Sequence, residues 1–389
     1  MISRRDTLLG LSGLSTLAVF PGGCSGPRVT TPGQGFILKQ GGETVLSELS
    51  GYAQGGAFTA ERPFRVASIT KAFVAELVRA LKRNGGVTGQ EDATLIDERL
   101  RHPEFTDIAI TLDMLIQHRS GLRDPEVYWM AAPGDIRDLI VPEIFEVRSK
   151  PGDAFRYSNF NYGLAATLIE IVTGERIDEL FRDLVATPLG LDIGLNWSGV
   201  SAARRQAGMP LFRGADGAWE VQVDDTDMLS DPLNALLHED GWTLDDYTPG
   251  QNGTLFSPQG GLRASLSDLL RFGEEVLLKQ AALWNPLWEW DGLPTSSGPS
   301  EGGHFVAFGD GLYIYPEDIS PIRGVRLVGH HGEAYGAYCG LWVAPDHDAV
   351  FVHADLGSPP NGPGRVLGPP ENTAYAATAF ARAGALLNP

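Results

Sequence analysis

The sequence predicts an α+β fold: an antiparallel sheet built from both chain ends and flanked by helices, with a mainly helical region inserted between them. Three observations carry this expectation. Short β-type runs stand near the start, at Phe36 to Lys39 and Thr44 to Leu46, and recur across the last third, whereas helical periodicity dominates the middle. An Ala-rich segment from Glu371 to Leu387 has the pattern of a terminal helix able to cover such a sheet. There is also no internal repeat that would point to a solenoid. Since strands at two chain ends can complete one sheet, residues 27–66 and 300–389 are expected to form a sheet domain and 67–299 a mainly helical one, behind a separate segment at 1–26.

Composition narrows the class. With 389 residues, 43% hydrophobic and 20% charged, the chain can bury a large core and is not of the disordered type. A formal charge of −19, from 49 acidic and 30 basic residues, repels phosphate backbones and anionic lipid heads, which argues against nucleic acid as a partner. Oligomeric state has no signal in the sequence.

Residues 1–26 read as an export signal. Ser3-Arg4-Arg5-Asp6 supplies a twin-arginine start, and Thr7 to Phe20 is an apolar run of 14 residues, short for a membrane span. Gly22-Gly23-Cys24 places small residues before a cysteine, as at a lipoprotein processing site, although Pro21 stands where such sites usually carry an aliphatic residue. A lipid anchor at Cys24 and simple cleavage both stand open; either makes the chain periplasmic or membrane-anchored. Only Cys24 and Cys339 are present, so the mature chain is left without an intramolecular disulfide, and Cys339 in an apolar run reads as a packed thiol.

The elements follow in order. Phe36-Ile37-Leu38-Lys39 and Thr44-Val45-Leu46 flank Gln40-Gly41-Gly42, a hairpin with a glycine turn. From Ile69 onward, Phe73, Val74, Leu77, Val78 and Leu81 recur at spacings of three and four, an amphipathic helix that stops at Gly85-Gly86. Leu112 to His118 and Tyr162 to Thr173 are further helices, and Ser265 caps another through Leu277. Between Glu220 and Asp246 lie nine acidic residues and no Lys or Arg, the pattern of a solvated face. Asp224 to Ser230 lacks the glycine and terminal glutamate of an EF-hand calcium loop. Strands are expected at Phe305 to Phe308, Gly311 to Tyr315, Val325 to Val328, Tyr338 to Val343 and Val350 to His353.

Chemistry concentrates in three separated motifs. In Ser68-Ile69-Thr70-Lys71 a hydroxyl stands in the first turn of the helix with a lysine one turn later on the same face, and the unpaired N–H groups of the helix start favour negative charge there. Tyr157-Ser158-Asn159 follows a Pro151-Gly152 loop, and His330-His331-Gly332 lies on an expected strand. Ser68 could be only a helix cap, Tyr157 a packing residue and the paired histidines metal ligands. The three in order outweigh each separate reading, and no His-Glu-x-x-His spacing exists, so no metal or cofactor is expected. His118 reads as structural. Gly298-Pro299-Ser300-Glu301-Gly302 matches a nucleophile-elbow pattern, but no strand precedes it and no helix follows.

With these motifs the chain resembles the serine β-lactamase-like superfamily, in the branch of class C β-lactamases, D-alanyl-D-alanine carboxypeptidases and related serine esterases. The linking segments His118-Arg119-Ser120-Gly121-Leu122 and Gly260-Gly261-Leu262-Arg263-Ala264-Ser265 resemble the family too. The resemblance implies a β-lactamase/transpeptidase-like fold and acylation of Ser68, with Lys71 and Tyr157 sharing the base role in a division left open. It also implies that Asn159 bonds the substrate and holds Lys71, and that the backbone N–H groups of Ser68 and Glu333 form an oxyanion hole. Gly332 would let substrate approach the backbone closely. His330 stands where β-lactamases carry a lysine, which removes a fixed charge that would attract a β-lactam carboxylate.

The expected activity is therefore an exported serine hydrolase acting through an acyl-enzyme, foremost on small esters. D-amino-acid peptides and β-lactams are the alternative substrates. A non-catalytic protein binding cell-wall fragments on the same fold is the alternative of another class. The segments Arg123 to Asp138 and Glu220 to Gly253 are expected to rim the pocket.

Overall fold

The computed structural model describes residues 31–53, 56–146, 150–215, 218–231, 233, 236–292, 305–357 and 374–388. The export signal with Cys24, the Gly298 to Gly302 pattern and residues 371–373 of the expected terminal helix lie outside the described residues.

At the N-terminal end, β1 (Thr31–Gln40) and β2 (Glu43–Ala53) form the expected hairpin, which turns at Gly41 and Gly42 with φ of 57° and 81°. Short strands β3 (Gly56–Ala57) and β4 (Phe64–Arg65) follow, then α1 (Thr70–Asn84), α2 (Leu112–Ile116), α3 (Phe160–Thr173), α4 (Ile177–Phe181) and α5 (Ala202–Gln206). A hairpin of β5 (Leu211–Ala215) and β6 (Ala218–Val223), α6 (Thr226–Ser230), β7 (Arg263–Ala264) and α7 (Leu266–Phe272) complete the middle. The last third supplies β8 (Trp288–Glu289), β9 (Ala307–Gly309), β10 (Leu312–Tyr315), β11 (Leu327–Ala334), β12 (Ala337–Ala344), β13 (Ala349–Asp355) and α8 (Ala374–Leu387).

Nine strands form one antiparallel sheet in the order β3-β2-β1-β13-β12-β11-β10-β9-β8. Its seam joins the two chain ends: Phe36 of β1 stands opposite His353 of β13. Side chains alternate across the sheet. Phe36, Leu38 and Phe351 belong to the core under α8, where the Phe380 ring sits 5.5 Å from that of Phe351. Ile37, Val350 and Val352 belong to the core shared with α1 and α7, where Phe73 stacks on Phe272 at 3.7 Å. Both faces are covered, so the central strands are largely apolar, and β12 and β13 are buried along their whole length.

Three differences from expectation have local causes. Ser68 lies in a 3-10 turn, Ala67–Ile69, and α1 begins only at Thr70, because Ala67 has φ 48° and cannot start an α-helix. The β5–β6 hairpin, unforeseen, pairs five short positions whose alternation is too brief to register as strands. In the acidic run eight carboxylates are exposed as expected, but Asp224 is wholly buried. There its Oδ1 accepts from Arg263 Nη2 at 2.6 Å and Trp197 Nε1 at 2.8 Å.

One buried carboxylate ties the helical region together. Glu170 on α3 accepts from Ile177 N at 2.9 Å, Gly250 N at 2.9 Å and the Tyr247 hydroxyl at 2.6 Å. Burial outweighs these donors and pushes its pKa up to about 7. A pKa raised above its unfolded value gives stability that is full below the ordinary carboxylate range and is lost as pH rises through about 7. Thermal melts between pH 4.5 and 7.5 should show this loss in the native chain, roughly 3 kcal/mol, and a flatter profile in Glu170→Gln. Equal slopes would remove Glu170 as the source.

Candidate active site

The nucleophile turn is held from three sides. β4 pairs with β7, Val66 N donates to Leu262 O at 3.0 Å, and Leu262 N donates to Thr70 Oγ1 at 3.0 Å. The same Thr70 hydroxyl donates to Ala67 O at 2.6 Å. Thr70, between the two reactive residues, thus pins the strained Ala67 backbone in place. Ala67, Ile69, Thr70 and Lys71 are buried while Ser68 keeps partial exposure, so the turn presents its hydroxyl outward.

Lys71 is fully buried. Its Nζ donates to Ser68 Oγ at 3.1 Å, Asn159 Oδ1 at 2.9 Å and the backbone carbonyl of Gln259 at 2.6 Å, which uses all three ammonium protons. Burial lowers its pKa to about 7, against an opposing pull from Asp124. Near neutrality about half of such lysines are free amines able to take a proton. The Nζ also stands 4.8 Å from the Tyr157 ring centroid and 5.4 Å from that of Tyr162. Sequence-predicted Ser68, Lys71, Tyr157 and Asn159 thus meet at one point.

The loop carrying Tyr157 is built on His118 and Asp124. His118 is wholly buried with φ 55°; its carbonyl accepts from Arg156 N at 2.7 Å and its Nδ1 from Ser158 N at 3.2 Å. Desolvation first, then Lys71 and His330, hold its pKa well below the usual histidine range. It is a neutral structural ring, 4.3 Å from Tyr157 between centroids.

Asp124, which sequence reasoning did not single out, accepts from Ser158 Oγ at 2.8 Å, Phe160 N at 2.8 Å and Asn159 Nδ2 at 3.0 Å. It caps α3 and fixes the Asn159 amide so that its oxygen faces Lys71. Asp124→Ala should leave these donors without their acceptor, at about 1–3 kcal/mol, and lower turnover more than it raises KM. A pure KM effect in steady-state kinetics would contradict this positioning role. Its only sequence signal is proximity to the His118 to Leu122 segment.

β11 forms the opposite wall. A Cβ at Gly332 would lie 2.2 Å from Val66 O, and the Cys339 thiol donates to that same carbonyl at 3.4 Å. The glycine therefore serves first to press β11 against the nucleophile turn, a reason different from substrate approach. Glu333 follows on the strand, half-buried. His330 is wholly buried, its ring centroid 4.7 Å from Tyr313 and 6.4 Å from Tyr157. It packs among aromatic rings and does not stand in the open as a surface cation would.

Beside Lys71 opens a cavity of about 320 Å³, reached through Gln259, whose carbonyl holds the lysine. Tyr128, Trp129 and Met130 line it from one expected rim, and Gln222, Val223 and Met228 from the other. Among the described residues no group of three or more His, Cys, Asp or Glu side chains converges as a metal site would require.

A serine on a helix-initiating turn, a lysine one turn on and a strand of an antiparallel sheet opposite define the serine β-lactamase-like class of fold. The profile of the family described as Beta-lactamase matches residues 26–365, and the chain belongs to that family. It is 25% identical over 359 residues to a D-aminopeptidase of Cereibacter sphaeroides, covering 88% of this chain and 58% of that one. To penicillin-binding protein 4* of Bacillus subtilis it is 29% identical over 174 residues, 41% of this chain and 36% of the relative. The chain thus spans 36% and 58% of the length of these two curated relatives. Among solved structures, D-amino acid amidase from Ochrobactrum anthropi SV3 superposes with a TM-score of 0.60 at 19% identity, over 92% of this chain and 93% of that one. That likeness is one of fold.

Proposed function

We propose that this chain is a serine acyl hydrolase that works through a covalent Ser68 ester. The observation that carries this reading is the 3.1 Å contact between Ser68 Oγ and a buried Lys71 whose pKa is about 7. Ser68 Oγ attacks the scissile carbonyl as its proton passes to neutral Lys71 Nζ, and the developing oxyanion lies toward the backbone N–H groups of Ser68 and Glu333. The proton then leaves with the alcohol or amine, and water attacks the acyl-enzyme in the reverse sense. Asn159 orients Lys71, and Tyr157, over the same ammonium, shares the proton traffic. An activated aryl ester should give a burst, with the acyl mass on the peptide that holds Ser68. An adduct elsewhere, or none, would defeat the reading.

Small carboxylic esters are the favoured substrates, because His330 takes the place of a lysine and so removes from β11 a fixed positive charge that would attract a β-lactam or peptide carboxylate. Amides and short peptides of D-amino acids are the second reading, favoured by the D-aminopeptidase likeness. Steady-state rates on an aryl ester, a D-alanine amide and a chromogenic cephalosporin rank the three. Residues 1–26 are proposed to export the chain, with a lipid on Cys24 or cleavage there; the mass of the mature N-terminal peptide decides between them.

A further inference from the structure

The charges around the cavity are unlike those of the chain. In a protein of net charge −19, its lining contains two arginines, Arg65 and Arg263, and no Asp, Glu or Lys. The two stand opposite each other where β4 pairs with β7, immediately before the nucleophile turn. They are not equivalent. Arg263 is buried and neutralised by Asp224 at 2.6 Å, with Nη1 spent on Gly261 O at 2.6 Å. Arg65 commits only Nε, to Gly260 O at 2.8 Å, and lies with its guanidinium carbon 4.8 Å from the Tyr335 ring centroid. Among the described residues no carboxylate pairs with it and no acceptor takes its terminal amino groups.

The nearby carboxylates are already used. Asp224 is held by Arg263 and Trp197, and Asp124 by Ser158, Asn159 and Phe160. The cavity therefore has one uncompensated charge, positive, on a planar group whose free edge suits a carboxylate. Gln259 adds a second polar element: it is 8% exposed, its carbonyl is on Lys71, and its side-chain Oε1 has no partner among the described residues. An acceptor left in that state calls for a donor on whatever fills the cavity.

From this arrangement we infer that the cavity selects acyl groups that carry a second carboxylate, held by Arg65 while the scissile carbonyl lies at Ser68. The inference rests on the Ser68 hydrolase reading and gives it a substrate class: half-esters and half-amides of short dicarboxylic acids, N-acylated acidic amino-acid acyl groups included. An ammonium-bearing acyl group is disfavoured, because no carboxylate lines the cavity to receive it. The anion site thus lies at the β4–β7 pair, immediately before the nucleophile turn.

The test compares p-nitrophenyl esters of matched size on the full chain. The mono-esters of succinate and glutarate should exceed the uncharged butyrate ester in kcat/KM by about tenfold or more, after correction for spontaneous hydrolysis. In Arg65→Gln that ratio should fall toward one, whatever happens to the two rates separately, and Arg65→Lys should restore part of it. Free glutarate should compete with the butyrate ester, whereas 1,5-diaminopentane should not. The N-acetyl-D-glutamate α-ester, run alongside, separates an amino-acid acyl group from a plain diacid. A native ratio near or below one, a ratio unmoved in folded Arg65→Gln, or equal inhibition by the diamine overturns the inference. If Arg65→Gln does not fold, the inhibitor pair on the native chain decides. If no ester labels Ser68, the hydrolase reading falls, and calorimetric titration of Ser68→Ala with glutarate still reports whether the cavity takes a dicarboxylate.

Discussion

Ester turnover should fall to background in Ser68→Ala, and Lys71→Met should lose about 10²–10⁴ in kcat/KM, the range for removal of a positioned proton acceptor. Methionine fits the buried space of the lysine stem but offers no lone pair of comparable basicity, and it leaves Asn159 Oδ1 and Gln259 O without their donor. The pH profile sharpens the test. With Lys71 at about 7, kcat/KM should rise through neutrality and level off above it, since only the free amine accepts the serine proton. Stability moves in the same direction. A lysine pKa below its unfolded value means the folded state binds fewer protons, so this group's contribution grows as pH rises from about 7 toward 10.5. Lys71→Met should remove both trends. If the rising limb survives in that variant, the base role belongs to Tyr157.

Gly332→Ala should damage both activity and stability. The added Cβ would stand 2.2 Å from Val66 O, a backbone atom that cannot swing aside. Either β11 or the nucleophile turn must move, at about 1–3 kcal/mol of overpacking. Displacing the strand also shifts Glu333, and loss of one oxyanion donor costs about 2.7–4 kcal/mol of transition-state stabilisation. Thermal unfolding should register the first effect and kcat the second. Native kcat in a destabilised variant would separate β11 from the oxyanion hole.

What could be read in the sequence had a local signature. The Ile69 to Leu81 spacing gave the nucleophile helix, and the apolar runs at Phe36 to Lys39 and Val350 to His353 placed two strands that the structure pairs edge to edge. Ser68, Lys71, Tyr157 and Asn159 converge as their order implied. The unread parts are made by tertiary contact. The Gln259 carbonyl on Lys71 is a backbone atom, which any residue could supply. Asp124 acts on a loop 34 to 36 residues away, and Asp224 finds Arg263 across 39. In an acidic run of nine, nothing local marks Asp224 as the buried one. Nothing local marks Arg65, and only the register of β4 on β7 sets it beside the cavity.

The bond from Cys339 to Val66 joins residues 273 apart in the chain. Ser68 and Lys71 are therefore synthesised well before β11, the surface that completes their surroundings. During synthesis the nucleophile segment emerges long before its facing wall. The seam between β1 and β13 closes over a comparable span, so the sheet forms only when the C-terminal third has arrived, a long-range closure that is slow by topology. A nascent chain, or one cut before β11, thus carries the reactive pair in an unassembled form, and readiness to attack a carbonyl is conferred by strands that emerge much later than the nucleophile.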